Sequence, residues 1–391
     1  MTPLRLLTFS TLFPNREQPS HGIFVETRLR QLVASGEAES VVVAPVPWFP
    51  SGAALFGRWS RYARVPRLEQ RHGLAVHHPR YPVIPRLGMS AAPYLLYHAV
   101  LPMLQRLASE RGFDAIDAHY VYPDGVAAVW LGRRLGLPVV ITARGTDINF
   151  IPRHALPRRL IQGAIAGSAA LIAVSAALRR ELVSLGAPPD KVTVLRNGVD
   201  LTLFQPMARD ATRAALNLTR RTLISVGLLI ERKGHHRVIE ALTQLPDTDL
   251  LIVGEGPDRT RLATLIEQLG LGARVRLLGA RPQTDLPALY SAADALVLAS
   301  TREGWANVLL EAMACGTPAI ASDAWGNPEV VQRREAGILM HANTPEGIVD
   351  AVRELFRDPP PREATRAYAE DFSWDQTTEG QLALFRRITA R

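Results

Sequence analysis

The 391-residue chain has one cysteine, Cys315, and only two lysines, Lys191 and Lys233, among its 45 basic residues. A single thiol makes no internal disulfide, so nothing here calls for an oxidising compartment and a cytoplasmic protein is the expectation. Long apolar runs are also scarce. The uncharged stretch Leu160 to Leu178, 19 residues, holds Gln162, two Gly and two Ser and reads as a buried helix followed by a strand rather than a membrane span. The opening MTPLRLLTFSTLFPN has only a short apolar stretch and reads as a first strand and its loop, not a secretory leader. No zinc-finger spacing, no heptads and no stripe of Arg interleaved with aromatics are read, which sets nucleic acid aside as a partner.

What is present is an ordinary globular composition, 47% apolar and 21% charged, in a chain long enough for two domains. Its charge is uneven. Residues 1–205 carry 23 Lys and Arg against 13 Asp and Glu, whereas residues 206–391 carry 22 against 24. The basic half is expected to meet something acidic: an anionic membrane surface or a phosphorylated substrate, unless the surface is merely rich in Arg.

Short β-branched runs alternate with helical patterns almost throughout. Strands are predicted at Leu4 to Phe9, Ser40 to Ala44, Leu74 to His77, Ala115 to Ala118, Val139 to Thr142, Leu171 to Val174 and Val192 to Leu195. The pattern restarts with Leu223 to Val226, Leu250 to Val253, Val275 to Leu278, Ala295 to Leu298 and Ala319 to Ala321. This alternation predicts α/β architecture with two doubly wound parallel sheets. Pro45 to Arg71, rich in Pro and Arg, breaks the rhythm and reads as a basic surface insertion.

Ligands of such sheets bind beyond the strands' carboxyl ends, and the chemistry-bearing stretches fall there. In TREGWANVLLEAMACGTPAIASD, residues 301–323, a polar loop carrying Glu303 precedes a helix starting near Ala306 or Asn307. The first amides of that helix, from Ala306, Asn307, Val308 and Leu309, form an anion site, and Glu311 lies one turn in, tilted back toward it. Two carboxylates would repel phosphates, so hydroxyls are the better partners, and phosphates with many hydroxyls describe a nucleotide sugar. Two incidental surface glutamates are the plain alternative. In SVGLLIERKGHH, Gly227 ends a strand and Arg232, Lys233 and Gly234 form the turn. A Lys in a chain that otherwise uses Arg suits phosphate oxygens, although it could simply cap the turn.

Gly254-Glu255-Gly256 follows a strand, but Arg259 stands where a dinucleotide fingerprint needs its third glycine, which weakens a hydride-transfer reading. DAHYVYPDG places His119, and ITARGTDI places Arg144, Gly145 and Asp147, at strand ends; Gly22 opens the first helix. Each of these also has a structural explanation.

Together these stretches resemble the retaining glycosyltransferases of family 4, which have the GT-B fold, over nearly the whole chain. The pair Glu303 and Glu311, seven residues between them, with RKG, VGEGPD, LGARP, EAMACGTP and NGVD, falls in that family's order. The resemblance implies two Rossmann-like domains facing across a cleft: 1–205 for the acceptor, 206–372 for the nucleotide sugar, and 373–391 as a helix crossing back. It implies that Glu303 meets the donor sugar's hydroxyls, Glu311 the ribose, Lys233 with Arg232 the diphosphate, backbone near Arg281 the base, and His119 the transferred sugar. Gly22, Arg144, Gly227, Glu255 and the 306–309 backbone complete the donor-binding set. One departure is Leu228, where the family commonly has Arg; Arg232 or Arg144 would supply that charge.

The expected activity is metal-independent hexosyl transfer to a glycan or polyprenyl-diphosphate-linked acceptor at the inner face of the membrane. Cell-surface polysaccharide synthesis, of the teichuronic acid type, is the implied setting. A nucleotide-sugar epimerase and a non-catalytic nucleotide-sugar binding module are the alternatives. No cofactor is expected. The Asp247-Thr248-Asp249 triplet is read as a helix-to-strand turn at the amino edge of the sheet, the wrong edge for a donor metal.

Overall fold

The computed structural model describes residues 2–83 and 88–390, which form two compact units: residues 2–196 with 375–390, and residues 197–374. The first contains β1 (Leu4–Phe9), β2 (Ala38–Val43), β3 (Val46–Pro47), β4 (Leu68–Arg71), β5 (Leu74–His77), β6 (Arg80–Tyr81), β7 (Ala115–His119), β8 (Val139–Ala143), β9 (Ala170–Ala173) and β10 (Val192–Val194). Its main sheet runs β10-β9-β8-β7-β1-β2-β5-β4, parallel except for the edge strand β4. The strand direction of chain progress reverses between β1 and β7. That switch point opens the crevice in which doubly wound sheets bind ligands.

The Pro- and Arg-rich insertion contains regular secondary structure. It contributes β3, which pairs with β6, and leads into β4, which covers the sheet edge. Leu160 to Leu178 divides as expected into the helix Ala155–Gly167 and β9. The closing helix Asp375–Thr389 belongs to this first unit: Leu382, Leu384 and Phe385 complete a core with Leu4, Leu6, Val140 and Ile172.

The second unit contains β11 (Arg221–Val226), β12 (Thr248–Val253), β13 (Val275–Leu277), β14 (Ala295–Leu298), β15 (Ala319–Ser322) and β16 (Gly337–Met340). All are parallel, in the order β13-β12-β11-β14-β15-β16, with the switch point between β11 and β14. Strands buried on both faces read as continuous apolar runs, and Leu223, Ile224, Leu250, Leu251, Leu296 and Val297 are all fully buried. One expectation needs correction. Asp249 is the second residue of β12, buried and 3.5 Å from Arg220, so only Asp247 lies in the turn. Both remain at the amino edge. Among the described residues no helix is long and apolar enough to cross a membrane.

Candidate functional site

In the second unit the loops leaving β11 and β14 flank the switch point, and a close backbone contact sets their spacing. Gly234 has φ +74°, and a Cβ there would lie 2.1 Å from the Ala299 carbonyl oxygen. No other residue fits this approach without displacing a chain. The Thr301 amide donates to the Arg232 carbonyl at 2.8 Å, and Arg232 Nη1 donates to the Arg302 carbonyl at 3.2 Å. Lys233 and Glu303, 70 residues apart in sequence, thereby meet: Nζ donates to Oε1 at 2.6 Å. Burial alone would raise the Glu303 pKa, but the Lys233 ammonium outweighs it and holds the carboxyl below its ordinary value. Gly227 passes beside the Lys233 stem, within 3.5 Å of where its Cβ would stand.

The helix Asn307–Ala314 starts with no side-chain cap on Ala306. Leu309 donates its amide to the Ala306 carbonyl at 3.1 Å, so it leaves the expected anion site; the amides of Ala306, Asn307 and Val308 make no hydrogen bond among the described residues. Asn307 Oδ1 accepts from Asn197 Nδ2 at 3.2 Å, which ties the NGVD stretch to this helix start. Glu311 points elsewhere than Glu303. Its Oε2 accepts from the buried Tyr290 hydroxyl at 3.0 Å, and burial pushes its pKa up to about 7 despite that bond.

Two expected members lie farther out. Glu255 is exposed and pairs with Arg259 at 3.3 Å, while its carbonyl accepts from the Leu229 amide at 3.0 Å, zipping its loop to the one after β11. Arg281 is exposed on the rim of an apolar cavity of about 430 Å³ lined also by Met207, Ala211, Leu278 and Leu289. Leu228, where the family commonly has Arg, is 58% exposed.

In the first unit His119 is the last residue of β7 rather than a loop residue, and it is buried. Arg144 Nη2 donates to its Nδ1 at 2.8 Å, and its Nε2 lies 3.2 Å from Asp117 Oδ2. An acceptor at Nδ1 requires the ring proton on Nε2, so the imidazole is neutral. Burial and the Arg144 charge keep its pKa low against the pull of Asp117. Arg144 itself is buried with its guanidinium 5.3 Å from the Phe24 ring centroid. Gly22 caps the first helix, Ile23–Ala34, at φ +67°, where a Cβ would meet the Leu12 carbonyl at 2.3 Å.

Three buried carboxylates tie this end together, and the sequence reading leaves two of them out. Asp147 accepts from the amides of Val121 and Gly145, both at 2.7 Å. Asp124 accepts the Thr11 amide at 2.8 Å and hydroxyl at 2.9 Å, and burial raises its pKa to about 7. Asp117 lies two residues before His119, on the same face of β7, a period-two signal already present in DAHYVYPDG. Tyr120, between these brackets, has φ +84°, a strained value for a non-glycine residue and a feature of functional turns.

Residues 60–203 match the family model described as Glycosyltransferase Family 4, and residues 208–372 match the one described as Glycosyl transferases group 1. The chain belongs to the family 4, group 1 glycosyltransferases. It is 33% identical over 301 residues to the D-inositol 3-phosphate glycosyltransferase of Mycobacterium tuberculosis, covering 70% of this chain and 62% of that protein's length. The solved sucrose-phosphate synthase of Thermosynechococcus elongatus superposes with a TM-score of 0.81 at 20% identity, covering 100% of both chains. Anabaena HepE in complex with UDP-glucose gives 0.72 at 20% identity, covering 97% of this chain and 98% of that one. These likenesses show the GT-B fold.

Proposed function

We propose that this family member transfers a hexosyl group, with retention of configuration, from a nucleoside-diphosphate sugar to a glycan or polyprenyl-diphosphate-linked acceptor in cell-surface polysaccharide synthesis. The observation that carries the reading is the Lys233–Glu303 pair at the switch point, beside a helix start whose Ala306, Asn307 and Val308 amides have no partner among the described residues. A diphosphate takes its charge compensation from Lys233, Arg232 and those amides, which stabilise the negative charge that develops as the bond from anomeric carbon to phosphate oxygen breaks. Glu303, kept ionised by Lys233, accepts hydrogen bonds from sugar hydroxyls. His119 is neutral, with Nδ1 accepting from Arg144 and Nε2 3.2 Å from the Asp117 carboxylate, which favours a positioning contribution to the sugar over a general base.

With Glu303 given to the sugar hydroxyls, the reading is front-face attack: the acceptor oxygen bonds the anomeric carbon as the diphosphate leaves, and a leaving phosphate oxygen takes the acceptor's proton. The diphosphate charge has partners in Lys233, Arg232 and the helix-start amides, so the reaction is read as metal-independent.

HepE has been solved in complex with UDP-glucose, and the mycobacterial relative is named for D-inositol 3-phosphate. UDP-glucose is therefore the first donor to try, and a soluble phosphorylated acceptor is the competing explanation of the basic first half. A thermal-shift panel of UDP-, GDP- and ADP-sugars, followed by product analysis with and without acceptor, tests the reading. Stabilisation by none of them, or an epimerised sugar formed without acceptor, sinks it.

A further inference from the structure

The loops at the strand ends leave unexplained a set of large apolar side chains standing in water on the first unit. Trp48, Leu55, Trp59, Val83 and Met89 are each between 37% and 81% exposed. Scattered exposed apolar residues need no explanation, but a contiguous group marks an interaction surface. Several contacts bring members of this group to one side of the unit. The Trp48 amide donates to the Tyr81 carbonyl at 2.7 Å, continuing the β3–β6 pair so that Trp48 and Val83 leave it at the same end. Phe49, the next residue, stacks on Trp59 at 6.2 Å, and Leu55 lies four residues before Trp59, across a backbone kink at Gly57. Val83 Cγ1 lies 3.8 Å from the position of a Cβ on Gly88, which Met89 follows.

The segment that carries Trp48, Leu55 and Trp59 has charge of one sign. From Ala44 to Leu68 the chain has no Asp or Glu, and Arg stands at 58, 61, 64 and 67. Arg61, Arg64 and Arg67 are exposed. Arg64 pairs with Glu17 at 2.8 Å; among the described residues no carboxylate pairs with Arg61 or Arg67. The run RWSRYARVPR thus interleaves Arg with Trp and Tyr, which corrects the sequence reading that no such stripe exists. Nucleic acid would use the arginines and the rings, but Leu55, Val83 and Met89 offer nothing to stack on a base. A lipid interface uses all three chemistries: aromatic rings at the headgroup level, aliphatics in the acyl boundary, guanidinium on phosphate.

We propose that this face docks the first unit onto an anionic bilayer, with Trp48, Leu55, Trp59, Val83 and Met89 entering the headgroup–acyl boundary and Arg61 and Arg67 meeting lipid phosphates. The proposal deepens the functional reading by locating its membrane contact, and it does not depend on which donor or acceptor is used.

Flotation of the full chain with equimolar phosphatidylglycerol and phosphatidylcholine vesicles tests it. The parent floats at low salt and less so as salt rises. Trp48→Ser with Leu55→Ser lowers the partition coefficient by about tenfold or more at every salt concentration. Arg61→Glu with Arg67→Glu abolishes the preference for anionic over neutral vesicles. Both double variants keep the parent's melting temperature and its thermal shift with nucleotide sugar. A parent that stays at the bottom of the gradient, or variants that float like it, overturns the proposal. So does displacement of the parent from vesicles by single-stranded RNA at lower concentration than by soluble phospholipid headgroup, which would make the stripe a nucleic-acid surface. Loss of the donor-induced thermal shift with flotation intact would count against the glycosyl-transfer reading alone.

Discussion

Replacing Glu311 with Gln is expected to stabilise the free protein at alkaline pH while weakening donor binding. The Glu311 carboxyl is almost fully buried, accepts one hydrogen bond from Tyr290, and has its pKa raised by burial from 4.5 to about 7. A folded-state pKa above the unfolded value means that the native state holds its proton more tightly. The associated stability is fully present below pH 4.5 and is lost as pH rises through 7. The full swing is about 3 kcal/mol, taking 1.36 kcal/mol per pKa unit. Gln cannot ionise and keeps an oxygen for the Tyr290 hydroxyl, so the variant escapes the loss. Thermal melts without ligand should show Glu311→Gln melting several degrees above the parent at pH 8.5, with the difference shrinking toward zero near pH 5. The amide is a poorer acceptor for a ribose hydroxyl, and loss of a hydrogen bond to a charged group costs about 1.5–3 kcal/mol of donor binding. Calorimetry at pH 8 should therefore show donor affinity roughly 10- to 100-fold weaker. A variant less stable than the parent at pH 8.5, or one with unchanged donor affinity, refutes the assignment of Glu311 as a buried, strained acceptor for the donor.

Lys233→Ala should lose more transfer activity than Lys233→Arg, because the charge survives in the latter with altered geometry; equal activity of the parent and both variants would assign the diphosphate to Arg232 or another group. Gly234→Ala should cost several kcal/mol, or prevent folding, since its Cβ falls 2.1 Å from the Ala299 oxygen, and a urea midpoint close to the parent's would show that the two loops have slack. Transfer should survive EDTA and Asp247→Asn; an enzyme inactivated by chelator and restored by Mn²⁺ or Mg²⁺ would contradict a donor site at the carboxyl ends of β11 and β14.

Much of this layout was legible because parallel strands buried on both faces read as uninterrupted apolar runs: β1 and β14 occupy the residues that their composition indicates. The misses have physical causes. β4 (LEQR) has no fully buried residue, so its membership in the sheet rests on backbone pairing with β5, which side-chain pattern does not encode. β16 (GILM) opens on a glycine directly after a turn, so its apolar run is only three residues long. Lys233 was found through its rarity, and its meeting with Glu303 depends on Gly234 lying against Ala299, a tertiary contact that neither loop announces alone. Asp124 and Asp117 were passed over for the opposite reason: an aspartate in a turn or strand is commonplace, and only its burial against Thr11 or His119 gives it a role.

The two glutamates raise a difficulty that their environments resolve. Carboxylates eight residues apart beside a diphosphate would add negative charge where charge must be compensated. The structure separates their protonation states: Lys233 holds Glu303 ionised, and burial keeps Glu311 substantially protonated up to about pH 7. Glu303 is neutralised by the same ammonium that would meet the phosphates, and Glu311 faces Tyr290 instead of Lys233. A bound ribose hydroxyl would give Glu311 a second hydrogen-bond partner. That partner would favour the ionised form and lower the pKa. Donor binding then releases a proton near neutrality, so the proton count in calorimetry, measured in buffers of different ionisation enthalpy, should be positive at pH 7. It should vanish in Glu311→Gln, and an unchanged count in that variant would place the titrating group elsewhere.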